Sequence, residues 1–278
     1  MSTDLSDALR APREARLASI PTDATPGYEG NKRSAEADLA GGVERLSELQ
    51  ERLFAASRAG ATRRVLLVLQ AMDTAGKGGI VRHVVGAVDP QGVQLAAFKK
   101  PTAEELSHHF LWRIEKRLPE PGMIGAFDRS HYEDVLIGRV RQLAPADEIE
   151  QRYSDIVDFE KRVVESGTVI VKVMLHLGRD EQKARLHERL ERADKHWKYN
   201  PGDVDERMLW DDYQAAYELA ISRTNSDHAP WFIVPADRKW YARLAVQHLL
   251  LQALESIDPQ WPAADFDIEV EKARLAAS

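Results

Sequence analysis

Cysteine is absent from the 278 residues of this sequence. Its absence excludes disulfide scaffolds, zinc sites with thiolate ligands and thiol nucleophiles. Long apolar runs are missing too: the longest are short stretches such as residues 65–69, whereas a membrane-spanning helix needs about 18 to 20 apolar residues. The N-terminal residues lack the basic and apolar segments of a signal peptide. We therefore expect a cytoplasmic protein with no membrane partner.

The chain is also short of positive charge. It has 38 Lys and Arg against 45 Asp and Glu, which gives a formal net charge of −7. We expect no nucleic-acid partner, because an acidic protein repels phosphate backbones, and any anionic ligand would need a local basic cluster. Hydrophobic residues make up 44% and charged residues 30% of the chain, proportions that are typical of a globular fold rather than of disorder.

The composition divides the chain into three parts. Residues 1–33 are polar, with proline and glycine scattered through them, and are predicted to form an extended arm that packs on the body or on a partner chain. Residues 34–256 are predicted to form one domain. Residues 257–278, which contain Pro259 and Pro262, are predicted to form a partly ordered tail.

Five short apolar segments have the pattern of buried strands, because their apolar residues are continuous rather than alternating. They are residues 65–70, 93–98, 123–127, 168–175 and 231–234. Helical patterns lie between or beside them, at residues 34–60, 102–118, 147–164, 180–192, 211–223 and 239–255. Strands that alternate with helices indicate an α/β fold with a mostly parallel five-stranded sheet and helices on both faces.

A glycine-rich loop follows the first strand and precedes a helical pattern. In that context the backbone N–H groups of the loop bind phosphate and its lysine reaches the transferred phosphate. The phosphate-binding residues predicted here are Ala75, Gly76, Lys77, Gly78 and Gly79. The usual motif has glycine where this chain has Ala71, and Ser or Thr, which binds Mg²⁺, where it has Gly78. Asp73 is therefore predicted to replace that ligand, since Mg²⁺ accepts one or two carboxylates.

A second acidic position follows the third strand, at Asp128 and Arg129. Ligands of open α/β sheets bind beyond the carboxyl ends of the strands, so this pair is expected to lie beside the glycine-rich loop. A carboxylate there orients Mg²⁺ in phosphoryl transfer. The alternative interpretation is a surface ion pair at the end of the strand.

Residues 181–200 form a basic stretch in this acidic chain. Arg185, Arg189 and Arg192 are spaced to share one helical face, and Lys195 and Lys198 follow. We interpret residues 181–210 as a mobile lid whose arginines close over phosphates. The alternative is a solvated helix face balanced by glutamates. Further positive residues at predicted loop ends would suit a linear polyanion: Lys99, Lys100, Arg139 and Arg141.

Five blocks of the sequence together resemble the polyphosphate kinase 2 family: residues 69–84, 98–113, 127–136, 195–207 and 228–244. The resemblance implies a P-loop kinase fold with a helical lid. It also implies transfer of the terminal phosphate between inorganic polyphosphate and purine nucleotides, with Mg²⁺, or Mn²⁺ in its place, as cofactor. A homo-oligomer, either a dimer or a tetramer, is implied as well.

The same resemblance assigns roles to individual residues. Asp73 and Asp128 match the carboxylates that organise the metal and the acceptor phosphate, and Lys77 matches the loop lysine. Arg129 and Arg189 match arginines of the site and the lid. Three further residues match site residues of the family less closely. They are Lys198 and Arg139, which would bind phosphate, and Glu133. The segment 131–134 resembles the subgroup that acts on AMP and ADP, although residues 77–79 depart from the Lys-Asp-Gly of that subgroup.

Two other functions remain open on the sequence. One is a nucleoside-monophosphate kinase that takes its phosphate from ATP; the positive residues outside the loop favour polyphosphate over this alternative. The other is a non-catalytic P-loop module that binds nucleotide. The missing Ser or Thr after Lys77 favours the module, whereas Asp73 as a substitute metal ligand argues against it.

Overall fold

The computed structural model describes residues 4–278, and its centre is a parallel sheet. The strands are β1 (Arg64–Ala71), β2 (Val93–Ala97), β3 (Ile124–Asp128), β4 (Thr168–His176) and β5 (Trp231–Pro235). Their order is β2-β3-β1-β4-β5, and every neighbouring pair is parallel. The central strand β1 is buried from Val65 onward, which explains its continuous apolar run. All five predicted strands are confirmed.

Helices cover both faces of the sheet, as predicted. They are α1 (Leu5–Leu9), α2 (Lys32–Arg58), α3 (Lys77–His83), α4 (Ala103–Leu106), α5 (Trp112–Glu115), α6 (Ile137–Val140), α7 (Ala146–Glu165), α8 (Arg179–Glu191), α9 (Gly202–Met208), α10 (Trp210–Thr224), α11 (Lys239–Ile257) and α12 (Ile268–Ala276). One apolar core includes residues of α2, α3 and α11, and the other includes residues of α7 and α10.

The single helix predicted over residues 102–118 is wrong. The predicted capping box is present, since Thr102 and Glu105 cap each other's backbone N–H groups, but α4 ends at Leu106. Leu106 is exposed, whereas Leu111 and Ile114 are buried in the core. The hydroxyl of Ser107 donates to the carbonyl of Glu104 at 2.7 Å, a side-chain contact that competes with the helical pattern, and the chain turns before α5 begins at Trp112.

Helix α2 continues through the pair Gly41 and Gly42. A Cβ atom on Gly42 would lie 2.5 Å from Oε1 of Gln247, and the amide of Gln247 donates to the carbonyl of Leu39 at 2.9 Å. The missing side chain at Gly42 therefore lets α2 pack closely against α11.

The N-terminal arm packs on the body of its own chain. Leu5, Leu9 and Leu17 are buried, and the N–H of Ala11 donates to the carbonyl of Trp231 on β5 at 2.8 Å. The three-part division of the chain stays a prediction, but the arm contributes apolar side chains to both cores.

At the opposite end, α12 presents Ile268, Val270 and Leu275 to solvent. Across residues 4–278, the helices are all too short or too polar to cross a bilayer.

A fully buried ion pair joins β4 to α7. Lys172 Nζ lies 2.6 Å from a carboxylate oxygen of Glu160, and neither side chain is exposed to solvent. The hydroxyl of Tyr132 donates to the same carboxylate at 2.8 Å. Burial alone raises the pKa of Glu160, but Lys172 and His131 outweigh burial and hold this pKa below its usual range. The carboxylate therefore stays charged because its partners surround it.

Replacing Lys172 by methionine is expected to lower the free energy of unfolding by about 3–5 kcal/mol, because Glu160 loses its buried cation. Denaturant unfolding at neutral pH measures this loss. The matched control is Lys161→Met on the exposed side of α7, which is expected to change stability by less than about 0.5 kcal/mol. A loss below about 1 kcal/mol for Lys172→Met would contradict the expectation.

Candidate active site

The glycine-rich loop connects β1 to α3 through two residues in the left-handed region. Thr74 has a φ of 67° and Gly76 a φ of 115°, and the second of these favours glycine. The side chain of Lys77 is buried, and its Nζ donates to the carbonyl of Ala71 at 3.1 Å. Lys77 therefore folds back across the loop, where it lines the cavity that opens over the loop.

A cavity of about 500 Å³ opens over this loop. Its volume lies in the range of small-molecule sites. Among residues 4–278, three carboxylates line it: Asp73, Asp128 and Glu188. Nine Lys and Arg side chains line it as well: Lys77, Arg82, Arg129, Arg185, Arg189, Lys195, Lys198, Lys239 and Arg243. A cavity this basic in a chain of net charge −7 is the local cluster that an anionic ligand requires.

Asp73 and Arg129 meet at the mouth of the loop. Arg129 Nη2 donates to Asp73 Oδ1 at 2.8 Å, and Arg129 Nη1 lies 3.3 Å from Glu133 Oε2. The parallel pairing of β1 with β3 sets Leu69 opposite Asp128, so the two strand ends reach this point together. Although burial opposes it, the charges of Glu133 and Asp73 raise the pKa of Arg129. This arginine remains charged beside the cavity.

The segment predicted as a lid arches over the same cavity. It consists of α8, a turn over residues 193–198, and α9. Arg189 Nη1 lies 3.1 Å from Asp203 Oδ2 and donates to the carbonyl of Lys198 at 3.0 Å. Burial, followed by the charge of Asp73, raises the pKa of Asp203. A carboxylate of α9 therefore contacts the predicted lid arginine, close to the glycine-rich loop.

The structure brings most of the predicted site residues to this one cavity: Asp73, Ala75, Gly76, Lys77, Gly78, Gly79, Asp128, Arg129, Arg189 and Lys198. Arg139 lies elsewhere and forms an ion pair with Glu150 at 2.7 Å. Arg192 also lies apart, because α8 ends at Glu191 and Arg192 has an extended backbone. Lys99, Lys100 and Arg141 do not line the cavity either.

Four basic residues of the cavity were missed in the sequence. Arg82 and His83 end α3, and Lys239 and Arg243 lie on the first turns of α11. The spacing of four between Lys239 and Arg243 was the available signal, because it sets both on one helical face after β5. Burial and the charges of Arg243 and Arg82 lower the pKa of His83, a sign of how crowded the positive charges are.

A second, smaller cavity of about 40 Å³ lies on the other side of the Asp73–Arg129 pair. Its walls include Leu136, Ile137, Tyr213 and Tyr217 as well as Glu133 and Glu206. Because Asp73 and Arg129 line both cavities, the pair stands between a basic chamber and a chamber with aromatic and aliphatic walls.

The carboxylates of the cavity suit a hard divalent cation whose coordination shell is completed by oxygen atoms of the substrate. Across residues 4–278, no group of three or more His, Cys, Asp or Glu side chains is arranged to hold a metal ion. Mg²⁺ uses one or two carboxylates, with phosphate and water oxygens completing its shell. Asp73 and Asp128 supply two carboxylates to one cavity, and this is the number that such a shared site needs.

Known proteins resemble this chain along most of its length. A family model described as Polyphosphate kinase 2 (PPK2) matches residues 29–262. The chain is 44% identical over 240 residues to a Meiothermus ruber protein named AMP/ADP-polyphosphate phosphotransferase, and the alignment covers 86% of this chain and 88% of that protein. It is 43% identical over 258 residues to ADP-polyphosphate phosphotransferase from Rhodopseudomonas palustris, which covers 88% of each.

The fold also has a solved counterpart. The crystal structure of polyphosphate kinase 2 from Arthrobacter aurescens TC1 superposes with a TM-score of 0.97 and 56% sequence identity, over 100% of this chain and 98% of that one.

The basic cavity predicts strong binding of short polyanions that depends on α11. Arg243→Ala is expected to weaken binding of tripolyphosphate about tenfold, because it removes one charged hydrogen-bond donor. Titration calorimetry in buffers of low and high salt measures the affinity and its salt dependence. The exposed Arg117→Ala, outside the cavity, is the control and is expected to bind like the unaltered protein. Equal affinities for the two variants would remove Arg243 from the binding surface.

Proposed function

This chain belongs to the polyphosphate kinase 2 family, and on that premise we propose that it transfers phosphate between inorganic polyphosphate and the nucleotides AMP and ADP. One observation carries the proposal: a cavity lined by nine Lys and Arg side chains shares the Asp73–Arg129 pair with a second cavity of different chemistry. A donor that is all phosphate and an acceptor that carries a nucleoside need two such chambers.

Polyphosphate binds in the basic cavity. Lys77 and the loop N–H groups hold its terminal phosphate, and Arg189 and Lys198 approach from the lid. Arg82 and Arg243 also line the cavity and contact the following phosphates of the chain. A compact nucleotide would leave these outer positive charges without phosphate partners, whereas a linear polyanion contacts them in turn.

The acceptor nucleotide enters from the other side of the Asp73–Arg129 pair. Tyr213 and Tyr217 supply aromatic walls, which suit a purine. The present volume of about 40 Å³ is far below the range of about 300–1,000 Å³ for ligand sites. Helix α9, which contributes Glu206, therefore moves away when the acceptor binds. The name of the Meiothermus ruber relative supports AMP and ADP as acceptors.

The reaction is an in-line displacement on the terminal phosphorus of polyphosphate. An oxygen of the acceptor phosphate forms the new P–O bond, the bond to the adjoining phosphate breaks, and the shortened polyphosphate leaves with the electron pair. Asp73 and Asp128 would hold Mg²⁺ or Mn²⁺, which neutralises phosphate charge when bound. Lys77 and Arg189 donate to the transferred group, and Arg129 orients the acceptor phosphate. One phosphoanhydride replaces another, so the reaction is reversible.

We also infer that the chain works in the cytoplasm as a homodimer or homotetramer. Ile268 and Leu275 are both exposed and, seven residues apart, share one face of α12. They support self-association, because exposed apolar surface marks protein contacts.

An end-point assay of the purified protein tests the donor and the acceptor together. Long-chain polyphosphate and Mg²⁺ are supplied with AMP, ADP, GMP or GDP, each separately and without ATP, and products are resolved by anion exchange. We expect ADP and ATP to form from AMP and ADP only when polyphosphate is present. Activity that requires ATP as donor would indicate a nucleoside-monophosphate kinase instead. No product with either donor would indicate a binding module.

Two substitutions test the proposed site. Lys77→Met and Asp128→Asn are each expected to lower turnover by about 10²–10³-fold, since each removes a group that stabilises transferred charge. The melting temperature is expected to stay near that of the unaltered protein. The exposed Lys183→Met and Asp211→Asn serve as matched controls with normal rates. Turnover within about tenfold of normal in either site variant would exclude that residue from catalysis.

A further inference from the structure

The inward face of α8 holds two polar side chains that are buried in an otherwise exposed region. Gln182 is 1% and Arg185 is 5% exposed. In the sequence, Arg185 shares a face with Arg189 and was interpreted with it as a lid arginine that binds phosphate. The contacts of Arg185 differ from those of Arg189, which faces Asp203.

Gln182 and Arg185 together hold three consecutive carbonyl groups of the glycine-rich loop. Gln182 Nε2 donates to the carbonyl of Asp73 at 3.1 Å. Arg185 Nη1 donates to the carbonyls of Thr74 at 3.1 Å and Ala75 at 3.2 Å. A carbonyl oxygen carries partial negative charge and repels a phosphate oxygen. Contacts that draw three of them toward α8 therefore favour a loop that presents N–H groups to the ligand.

The other side of the Arg185 guanidinium is anchored on the connection from β5 to α11. Its Nη2 donates to the carbonyls of Ala236 at 2.7 Å and Asp237 at 2.8 Å, and its Nε donates to Glu181 at 2.7 Å. An arginine has five N–H donors, and these contacts occupy all of them. Arg185 borders the cavity with no donor left for a phosphate.

The anchor is itself held in place by the N-terminal arm. The carboxylate of Asp237 accepts hydrogen bonds from the hydroxyl of Thr22 at 2.6 Å and from the N–H of Gly178 at 2.7 Å. The arm, the start of α8 and the connection after β5 therefore form one hydrogen-bonded unit, and Arg185 links this unit to the loop.

We propose that Arg185 and Gln182 are positioning residues that fix the glycine-rich loop in its phosphate-binding form before the ligand arrives. The proposal rests on the proposed function, because the loop is taken to bind the transferred phosphate. It differs from a lid role, since a lid arginine binds phosphate directly and leaves the empty loop unaffected. A catalytic group displaced by about 1 Å costs about 10²-fold in rate.

The test compares Arg185→Lys with Arg189→Lys in protein that is free of phosphate compounds. Lysine keeps the charge but has three donors at a single atom, so it does not join the loop to residues 236–237. Amide hydrogen exchange of residues 72–79 is expected to be about tenfold faster in Arg185→Lys, since charged hydrogen bonds to the loop are lost. In Arg189→Lys it is expected to stay within about twofold of normal.

Exchange in β1 and β4 serves as the internal reference for overall stability. An equal acceleration there and in residues 72–79 would overturn the proposal, because it would show a purely structural role. Unchanged loop exchange in Arg185→Lys would overturn it as well. If that variant does not fold, Gln182→Met, which removes only the contact to Asp73, gives the same test with a smaller acceleration at residues 73–75, and an unchanged rate there overturns the proposal.

Turnover provides the second readout. Arg185→Lys is expected to lower kcat for polyphosphate-dependent transfer by about 10²-fold with either AMP or ADP, and Arg117→Lys, at an exposed position outside the cavity, is expected to react normally. If the unaltered protein transfers no phosphate, the proposed function fails while the exchange comparison still decides the role of Arg185. If it does transfer phosphate and Arg185→Lys is as fast, the positioning role fails alone.

Discussion

The central constraint on this structure is repulsion among positive charges that are gathered around one loop. Nine Lys and Arg side chains line a single cavity, and each must be held there without losing its charge. Arg129 is held by Asp73 and Glu133, and Arg189 by Asp203. Arg185 is held mainly by backbone carbonyls. Carbonyl dipoles satisfy four of its five donors without adding negative charge, and Glu181, which accepts from the fifth, does not line the cavity.

The parallel sheet places the acidic groups within this basic surrounding. The carboxyl ends of β1 and β3 are in register, and the N–H of Arg129 donates to the carbonyl of Leu69 at 3.1 Å. One hydrogen bond therefore ties the second acidic segment to the strand that carries the loop. Tyr132 follows Arg129 closely in the chain, and the buried Lys172 donates both to its hydroxyl and to Glu160. These contacts fix the segment after Arg129 against the core. The register of the sheet sets the two acidic segments side by side, and the buried ion pair holds the second of them in place.

The sheet and the loop were predictable because each is encoded locally. Continuous apolar runs mark buried strands, and the spacing from Asp73 to Gly79 marks a phosphate loop. The role of Arg185 was not predictable, because helical spacing gives its direction but not its partners, and these lie at residues 74–75 and 236–237. Arg192 was misplaced since the helix ends one residue earlier. Arg243 was missed although it lies in the block at residues 228–244, because only the folded chain brings the start of α11 to the glycine-rich loop.

Helix α9 links the two cavities through side chains that point in different directions. Asp203 contacts Arg189 of the basic cavity, while Glu206 accepts from Arg141 at 2.9 Å and lines the smaller cavity. Arg207 donates to Oε1 of Gln182 at 3.0 Å, and the amide nitrogen of that same side chain holds the carbonyl of Asp73. A displacement of α9 alters all three contacts together. In the proposed reaction, access for the acceptor, release of Arg189 and support of the loop would therefore depend on one short helix.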